Sequence, residues 1–273
     1  MMESPQPTKR TAAARTKRPQ FRLTRTKRRV LELLAEYFCL RVKDVARLLR
    51  DREPTEADLR TARRSLGLLW KEKLADRLPY FELDTEARSY VYGLSDKGVD
   101  HPDVEYPDAK SFDEHSERTL DHELEISFFH MALSRFWRDT DNPGLYWQQA
   151  DLKRGIHPDA LFKLQTPKGE YAFFLEIEKG KKNFEALSAK FDRYAKYYDT
   201  DDCEKDWGFR KFRVIIVQKN DVRRQNLLKE LHGKLPHKMF WLTIDPLYKK
   251  NIGAEIFSTP ADPETGRYSF LLL

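Results

Sequence analysis

Apolar residues return at steps of three and four through "TKRRVLELLAEYFCLRVKDVARLL". Val30, Leu31, Leu33, Leu34 and Tyr37 form one stripe, and Val42, Val45, Ala46, Leu48 and Leu49 a second, shorter one. That period predicts two helices, with "FCLR" turning the chain between them. Pro54 breaks the pattern, and Thr55 is placed to cap a third helix over about 56–74. It sets Leu59, Ala62, Leu66, Leu69 and Lys73 along one side and Arg60, Arg63, Arg64 and Lys71 on the others. "DRLPYFEL" and "RSYVYGL", either side of "DTEA", read as a β-hairpin, and "SDKG" closes the unit.

"HPDVEYPDAKSFDEHSE" then runs on with no period and reads as a linker. Periodicity returns in "ERTLDHELEISFFHMALSRFWRD", a helix whose Leu120, Leu124, Ser127, Phe128, Met131, Leu133 and Phe136 make a broad apolar face. "GLYWQQAD", "DALFKLQ" and "EYAFFLEIE" read as strands, the last two joined at "TPKG" by a tight turn. A helix over about 183–198 carries Phe184, Leu187, Phe191, Tyr194 and Tyr198. "KFRVIIVQK" is almost wholly apolar, the pattern of a strand covered on both faces. A helix near 222–231 and the strand "KMFWLTI" follow. The predicted fold class is α/β: a winged helix-turn-helix over 22–100, a linker over 101–116, and a mixed sheet flanked by helices over 117–273.

Charge adds a fourth segment. Of the net +6, residues 1–30 hold ten Lys/Arg and one acid, while the remainder is slightly acidic. The Pro-, Thr- and Ala-rich stretch 1–21 reads as a disordered basic arm. Such an arm, with Lys27 and Arg28 following it at the start of the first helix, is an electrostatic footprint for a polyanion, or else a solubilising tail. The basic third helix after it suits the major groove, with Arg77 and Arg88 of the hairpin placed to touch the backbone. No apolar run approaches membrane-spanning length, no secretory signal opens the chain, and no Gly-rich phosphate loop occurs. Two cysteines, Cys39 and Cys203, stand far apart, without the spacing of a zinc site. Together these predict a cytoplasmic DNA-binding protein.

Three acids sit at the ends of apolar runs: Asp159, Glu176 and Glu178. A hairpin turning on Pro167–Lys168 puts Asp159 opposite Glu176, side chains ~5 Å apart, with Glu178 pointing the same way. Tyr171, Phe173, Leu175 and Ile177 then fill the other face. A bulge at Gly169 would slip the register by one and put Ile177 opposite Asp159 instead. Clustered carboxylates need a countercharge. A hard cation such as Mg²⁺ or Mn²⁺ supplies it through oxygen ligands; so would Lys179, Lys181 or Lys182 if these are only solvated strand-end acids.

Pro158-Asp159 followed by Glu176-Ile177-Glu178, set between helices in this order, resembles the PD-(D/E)XK nuclease superfamily. That resemblance implies metal ligation by Asp159 and Glu176. It expects a lysine where Glu178 stands; Lys190, on the following helix, is the candidate replacement. "LDHELEI", "HPDALF", "FFLEIEKG" and "KFDRYAKYY" together resemble the replication-relaxation family over about 22–220. The resemblance implies a protein of a plasmid or mobile element acting on DNA in replication, relaxation or mobilisation. Replication or mobilisation proteins, or a second copy of the chain, would be its partners. The nuclease-like domain would either cleave DNA with metal or serve without activity, in a replication accessory factor or a transcriptional regulator. His122 matches the family pattern and joins the candidate catalytic set. Glu123 and Glu125 cannot share a helix face, and Glu123 reads as a surface acid. Arg154 and His157 flank Asp159 as phosphate contacts or loop residues, and Phe191, Tyr194, Tyr197 and Tyr198 read as core.

Overall fold

The computed structural model describes residues 21–82, 87–106, 109–112, 117–142, 144–148, 153–178, 184–232, 238–263 and 266–273. All but the last residue of the predicted arm lies outside the described residues, as do Lys179, Lys181 and Lys182.

The first apolar stripe becomes α1 (Arg25–Tyr37), whose N-terminus is capped by the Thr24 hydroxyl accepting from the Lys27 N–H. The chain does not simply turn at "FCLR". Phe38 takes a positive φ of 62°, and Cys39–Arg41 form a short strand, β1, with Cys39 and Leu40 fully buried. α2 (Val42–Arg50) follows, then α3 (Glu56–Lys71), opened by a reciprocal Thr55–Asp58 capping box. α3 ends before the predicted position 74, because Lys73 adopts a φ of 58° and redirects the chain. β2 (Ala75–Glu82) and β3 (Ala87–Leu94) form the hairpin, and α4 (Asp96–Val99) closes it. The antiparallel order is β1-β3-β2. The first unit is thus three helices on a small antiparallel sheet that ends in the β2–β3 hairpin.

α5 (Glu117–Arg138) joins the two units by burying opposite sides. Leu120 and Leu124 pack with Cys39 and Val91 of the first unit and with Phe112 of the linker. Ile126, Phe129, Leu133 and Trp137 pack onto the second sheet. Ser127 donates to the Tyr37 carbonyl at 2.6 Å, stitching α5 to the end of α1. The described part of the linker is packed too: Phe112 lies so close to Gly93 that a Cβ there would come within 2.5 Å of it.

The second unit continues with β4 (Gly144–Gln148), β5 (Ala160–Thr166), β6 (Gly169–Glu178), α6 (Phe184–Asp199), α7 (Asp202–Trp207), β7 (Phe212–Gln218), α8 (Asp221–Leu231), β8 (Phe240–Ile244) and α9 (Asp245–Asn251). The sheet order is β4-β5-β6-β7-β8 among the described residues. β4 to β6 run antiparallel; β7 and β8 add in parallel, each reached through helical crossovers. Alternation along β6 divides the core. Phe173, Leu175 and Ile177 face α5 and α9, while Ala172 and Phe174 face α6 and α8. Each buried Phe contributes ~1.5–3 kcal/mol. Thr166 pairs with Gly169, so the hairpin turns on Pro167–Lys168 with no bulge in the paired strands. Gly169 at φ 135° carries a conformation that favours glycine.

Candidate active site

The register Ala160↔Leu175 places Asp159 beside Glu176 at the end of the hairpin away from its turn. Asp159 is pinned at three points. Its N–H donates to Leu175 O (2.9 Å), its Oδ2 accepts from the Ile177 N–H (2.6 Å), and its Oδ1 meets His122 Nε2 (2.9 Å). The hydrogen bond to Asp159 and nearby negative charge raise the His122 pKa against the opposing effect of burial. α5 thus delivers His122 to the sheet.

Glu176 is fully buried on the α6 side. Its Oε1 accepts from the Tyr194 hydroxyl at 2.6 Å, and its Oε2 pairs with Lys190 Nζ. Burial pushes its pKa up to about 8, Asp159 adds to this, and the Lys190 charge opposes it. Lys190 Nζ is also 3.6 Å from Glu178 Oε1. Burial alone would lower the lysine; Glu176, Glu178 and Asp159 together raise it and keep it an ammonium. Lys190 and Tyr194 lie one turn apart on α6, which is why both reach one carboxylate. The structure therefore brings together Asp159, Glu176, Glu178, Lys190 and His122. Tyr194, which reads from the sequence as core, joins them through its hydroxyl; its i+4 spacing from Lys190 is the available signal.

The other acids of α5 go elsewhere. Glu125 accepts from Tyr248 (2.7 Å) and Lys249 (2.8 Å), and Glu123 lines a cavity between the units. His157 is exposed. Arg154 is tied to α7 by Asp206 (2.7 Å) and Asp202 (3.6 Å).

The carboxylates are hard oxygen donors of the type Mg²⁺ or Mn²⁺ takes. Among the described residues, however, no group of three or more His, Cys, Asp or Glu side chains is set to hold a metal ion. The Lys190 ammonium supplies countercharge to Glu176, so a cation binding there must compete with it. The donor chemistry fits the metal; the side-chain arrangement requires Lys190 to let go.

On the first unit, Arg60, Arg63, Arg64 and Lys71 are all exposed on α3. Arg77 is instead held between Trp70 (3.6 Å) and Tyr90 (4.3 Å). Lys27 donates to Arg22 O (2.7 Å) and Arg28 pairs with Asp103 (3.2 Å). Arg88 lies on β3 opposite Phe81; its side chain lies outside the described residues.

A family model for replication-relaxation proteins matches residues 31–211, spanning both units and the site. The chain belongs to the replication-relaxation family. Its second unit is a mixed α/β domain and its first a set of three helices on a small antiparallel sheet. No curated protein matched. Among solved structures, the chain is similar at 12% identity to restriction endonuclease FokI bound to DNA, with a TM-score of 0.31 over 83% of this chain and 44% of that one. A second FokI structure gives 12% identity and a TM-score of 0.34 over 81% and 41%. The chain thus spans less than half of either FokI chain, and at these scores the likeness supports no mechanism. No helix among the described residues is long and apolar enough to cross a membrane.

Proposed function

We propose that this replication-relaxation protein works in the cytoplasm on the DNA of a plasmid or mobile element. Its winged helix would select the DNA, and its second domain would cleave one strand with the help of Mg²⁺ or Mn²⁺. The observation that carries this reading is the meeting of Asp159, Glu176, Glu178, Lys190 and His122 at one end of the β5–β6 hairpin. Asp159 and Glu176 would hold the metal, with Glu178 assisting. When bound, it would polarise a phosphoryl oxygen and activate water. The chain's own part is positional. Backbone N–H of Ile177 and His122 fix the Asp159 carboxylate, and Tyr194 fixes that of Glu176. Lys190, once released from Glu176, stands by the phosphate as a positive charge. Water oxygen bonds to phosphorus as the P–O bond to the leaving sugar breaks. Arg60, Arg63, Arg64 and Lys71 would enter or flank the major groove.

One observation favours a second reading, a nuclease fold without cleavage serving as a replication accessory factor. His122, Ile177, Tyr194 and Lys190 already engage all four carboxylate oxygens of Asp159 and Glu176. Supercoiled and single-stranded DNA from the protein's own locus, incubated with Mn²⁺ or with EDTA beside Asp159→Ala, separates the two. Metal-dependent nicking that vanishes in the variant is the expected result. Binding without nicking in any metal overturns the cleavage reading in favour of the accessory role. Arg63→Ala and Arg64→Ala are expected to weaken duplex binding. Each should also lower the salt slope by about one if its guanidinium neutralises a phosphate, measured by fluorescence anisotropy across a salt series.

A further inference from the structure

Where α5 passes between the two units, a cavity of about 330 Å³ opens, within the ~300–1,000 Å³ range of small-molecule sites. Rings dominate its walls: Tyr37, Tyr106, His130, Tyr146 and Trp147. His130 is only 5% exposed, and its ring nitrogens have no hydrogen-bond partner among the described residues. It stacks on Trp147 at 4.1 Å and 6°, and Trp147 on Phe162 at 5.6 Å and 11°, so the ring is fixed by the core behind it. Burial pushes the His130 pKa down to about 3, so at neutral pH the imidazole offers one donor and one acceptor. The ring nitrogens are not among the fully buried polar atoms that lack a partner, and a ligand in the cavity can hydrogen-bond to them.

The chemistry of the lining narrows that ligand. Glu36, which also pairs with Arg29 at 3.7 Å, and Glu123 are carboxylates, and Lys110 is the single ammonium. This combination disfavours a lone phosphate. It suits a flat heteroaromatic ring bearing N–H donors, which carboxylates read on nucleobases. Tyr106 and Tyr146, 40% and 49% exposed, stand where a base would slide in. Position points to a base within a strand. Glu123 adjoins His122, whose ring lies on Asp159, and Gln148 of the cavity pairs with Leu161, two residues past Asp159. Tyr146 and Gln148 also border a groove lined by Lys153 and Lys163 together with Glu170 and Asp206, Glu170 pairing with Lys163. Exposed rings at the mouth of such a groove are platforms on which the bases of a single strand stack.

We infer that this cavity receives an unstacked base of single-stranded DNA, whose backbone crosses the outer edge of β4 on its way to the Asp159 site. The inference rests on the DNA-processing reading and names the form of DNA that reading needs. Its test uses the full chain, a single-stranded oligonucleotide carrying 2-aminopurine, a duplex, and free deoxynucleoside monophosphates. The base fluorescence is expected to be quenched on binding. Tyr106→Ala and Tyr146→Ala, at exposed positions, are each expected to weaken single-strand binding roughly tenfold, with duplex binding and melting temperature unchanged. Duplex binding with unaltered single-strand affinity in both variants overturns this inference and leaves the DNA reading standing. Monophosphates binding as tightly as the oligonucleotide overturn it too, by assigning the cavity to a free nucleotide. No binding of either DNA overturns the DNA reading itself.

Discussion

Glu176 and Glu125 are both buried, and each takes a tyrosine hydroxyl on one carboxylate oxygen and a lysine ammonium on the other, yet only Glu176 belongs to the candidate site. Glu125, on α5, is held by Tyr248 and Lys249 of α9. Glu176, on β6, is held by Tyr194 and Lys190 of α6. In both, the trio fastens a helix to its neighbour, so a buried Glu–Lys–Tyr set is by itself an ordinary strut. The surroundings differ. Lys249 has a second partner in Asp245 of its own helix (2.6 Å) and is 38% exposed. Lys190 is 16% exposed and shares its charge with Glu178, next to Asp159 and the His122 ring. Excess acid drawn from neighbouring strands, around a cation that does not fully offset it, is what makes one trio the candidate site.

The lysines break that comparison hardest. Removing one partner of a buried ion pair costs ~3–5 kcal/mol, because a charge is left uncompensated. Lys190→Met is expected to lose about that much in urea unfolding with EDTA present. Lys249→Met, with a more exposed ammonium, is expected to lose ~1 kcal/mol. Mg²⁺ or Mn²⁺ should then raise the melting temperature of Lys190→Met and leave Lys249→Met unmoved, by linkage to the folded state alone. Equal losses, with no metal effect in either variant, would make the two trios equivalent struts.

The sequence shows one trio in part and the other not at all. Alternation along "EYAFFLEIE" and the "TPKG" turn bring Asp159, Glu176 and Glu178 to one end of the hairpin only if Gly169 makes no bulge, which the observed register decides, and Lys190 enters as the replacement for the lysine that the superfamily resemblance expects. Tyr194 reads only as core because its ring packs there while its hydroxyl works, and periodicity reports only the ring. Tyr248 and Lys249 sit on a seven-residue helix, too short to show a period. Which of His122, Glu123 and Glu125 meets the sheet depends on how α5 rotates between two units, a tertiary fact. β1, three residues long, offers no period to set against a turn reading. Arg77 reads as a free wing residue because nothing local shows Trp70 and Tyr90 closing on it.

The histidines of α5 extend the contrast to pH. His130 has its folded pKa depressed to about 3 by burial, below an unfolded value of ~6.5. The unfolded chain therefore takes up a proton first as pH falls. The stabilisation is complete above ~6.5 and declines by ~1.4 kcal/mol per pH unit below it, ceasing to fall near pH 3. His122 has the opposite sign: raised by Asp159, its contribution is present at low pH and is lost as pH rises through the folded pKa. His130→Phe, which keeps the stack on Trp147, should flatten the acid side and gain ~2 kcal/mol relative to wild type on going from pH 7 to pH 5. Urea midpoints at both pH values measure it. An unchanged slope would mean that His130 is protonated in the folded protein.

The tyrosines give the smallest effect on stability and the sharpest division of roles. Tyr194→Phe and Tyr248→Phe each remove a hydroxyl that donates to a buried carboxylate at 2.6 or 2.7 Å. Each should cost ~1.5 kcal/mol, the scale of a hydrogen bond to a charged group. Their stability losses should therefore be alike while their functional losses are not. Without its hydroxyl, Glu176 is free to turn from the position in which it would hold a metal beside Asp159, so Tyr194→Phe should slow metal-dependent nicking about tenfold. Tyr248→Phe, acting on a glutamate outside the site, should nick at the wild-type rate. Nicking unaffected in both would reduce Tyr194 to the strut that Tyr248 is, and would place the chemistry on Asp159 and Glu178 instead.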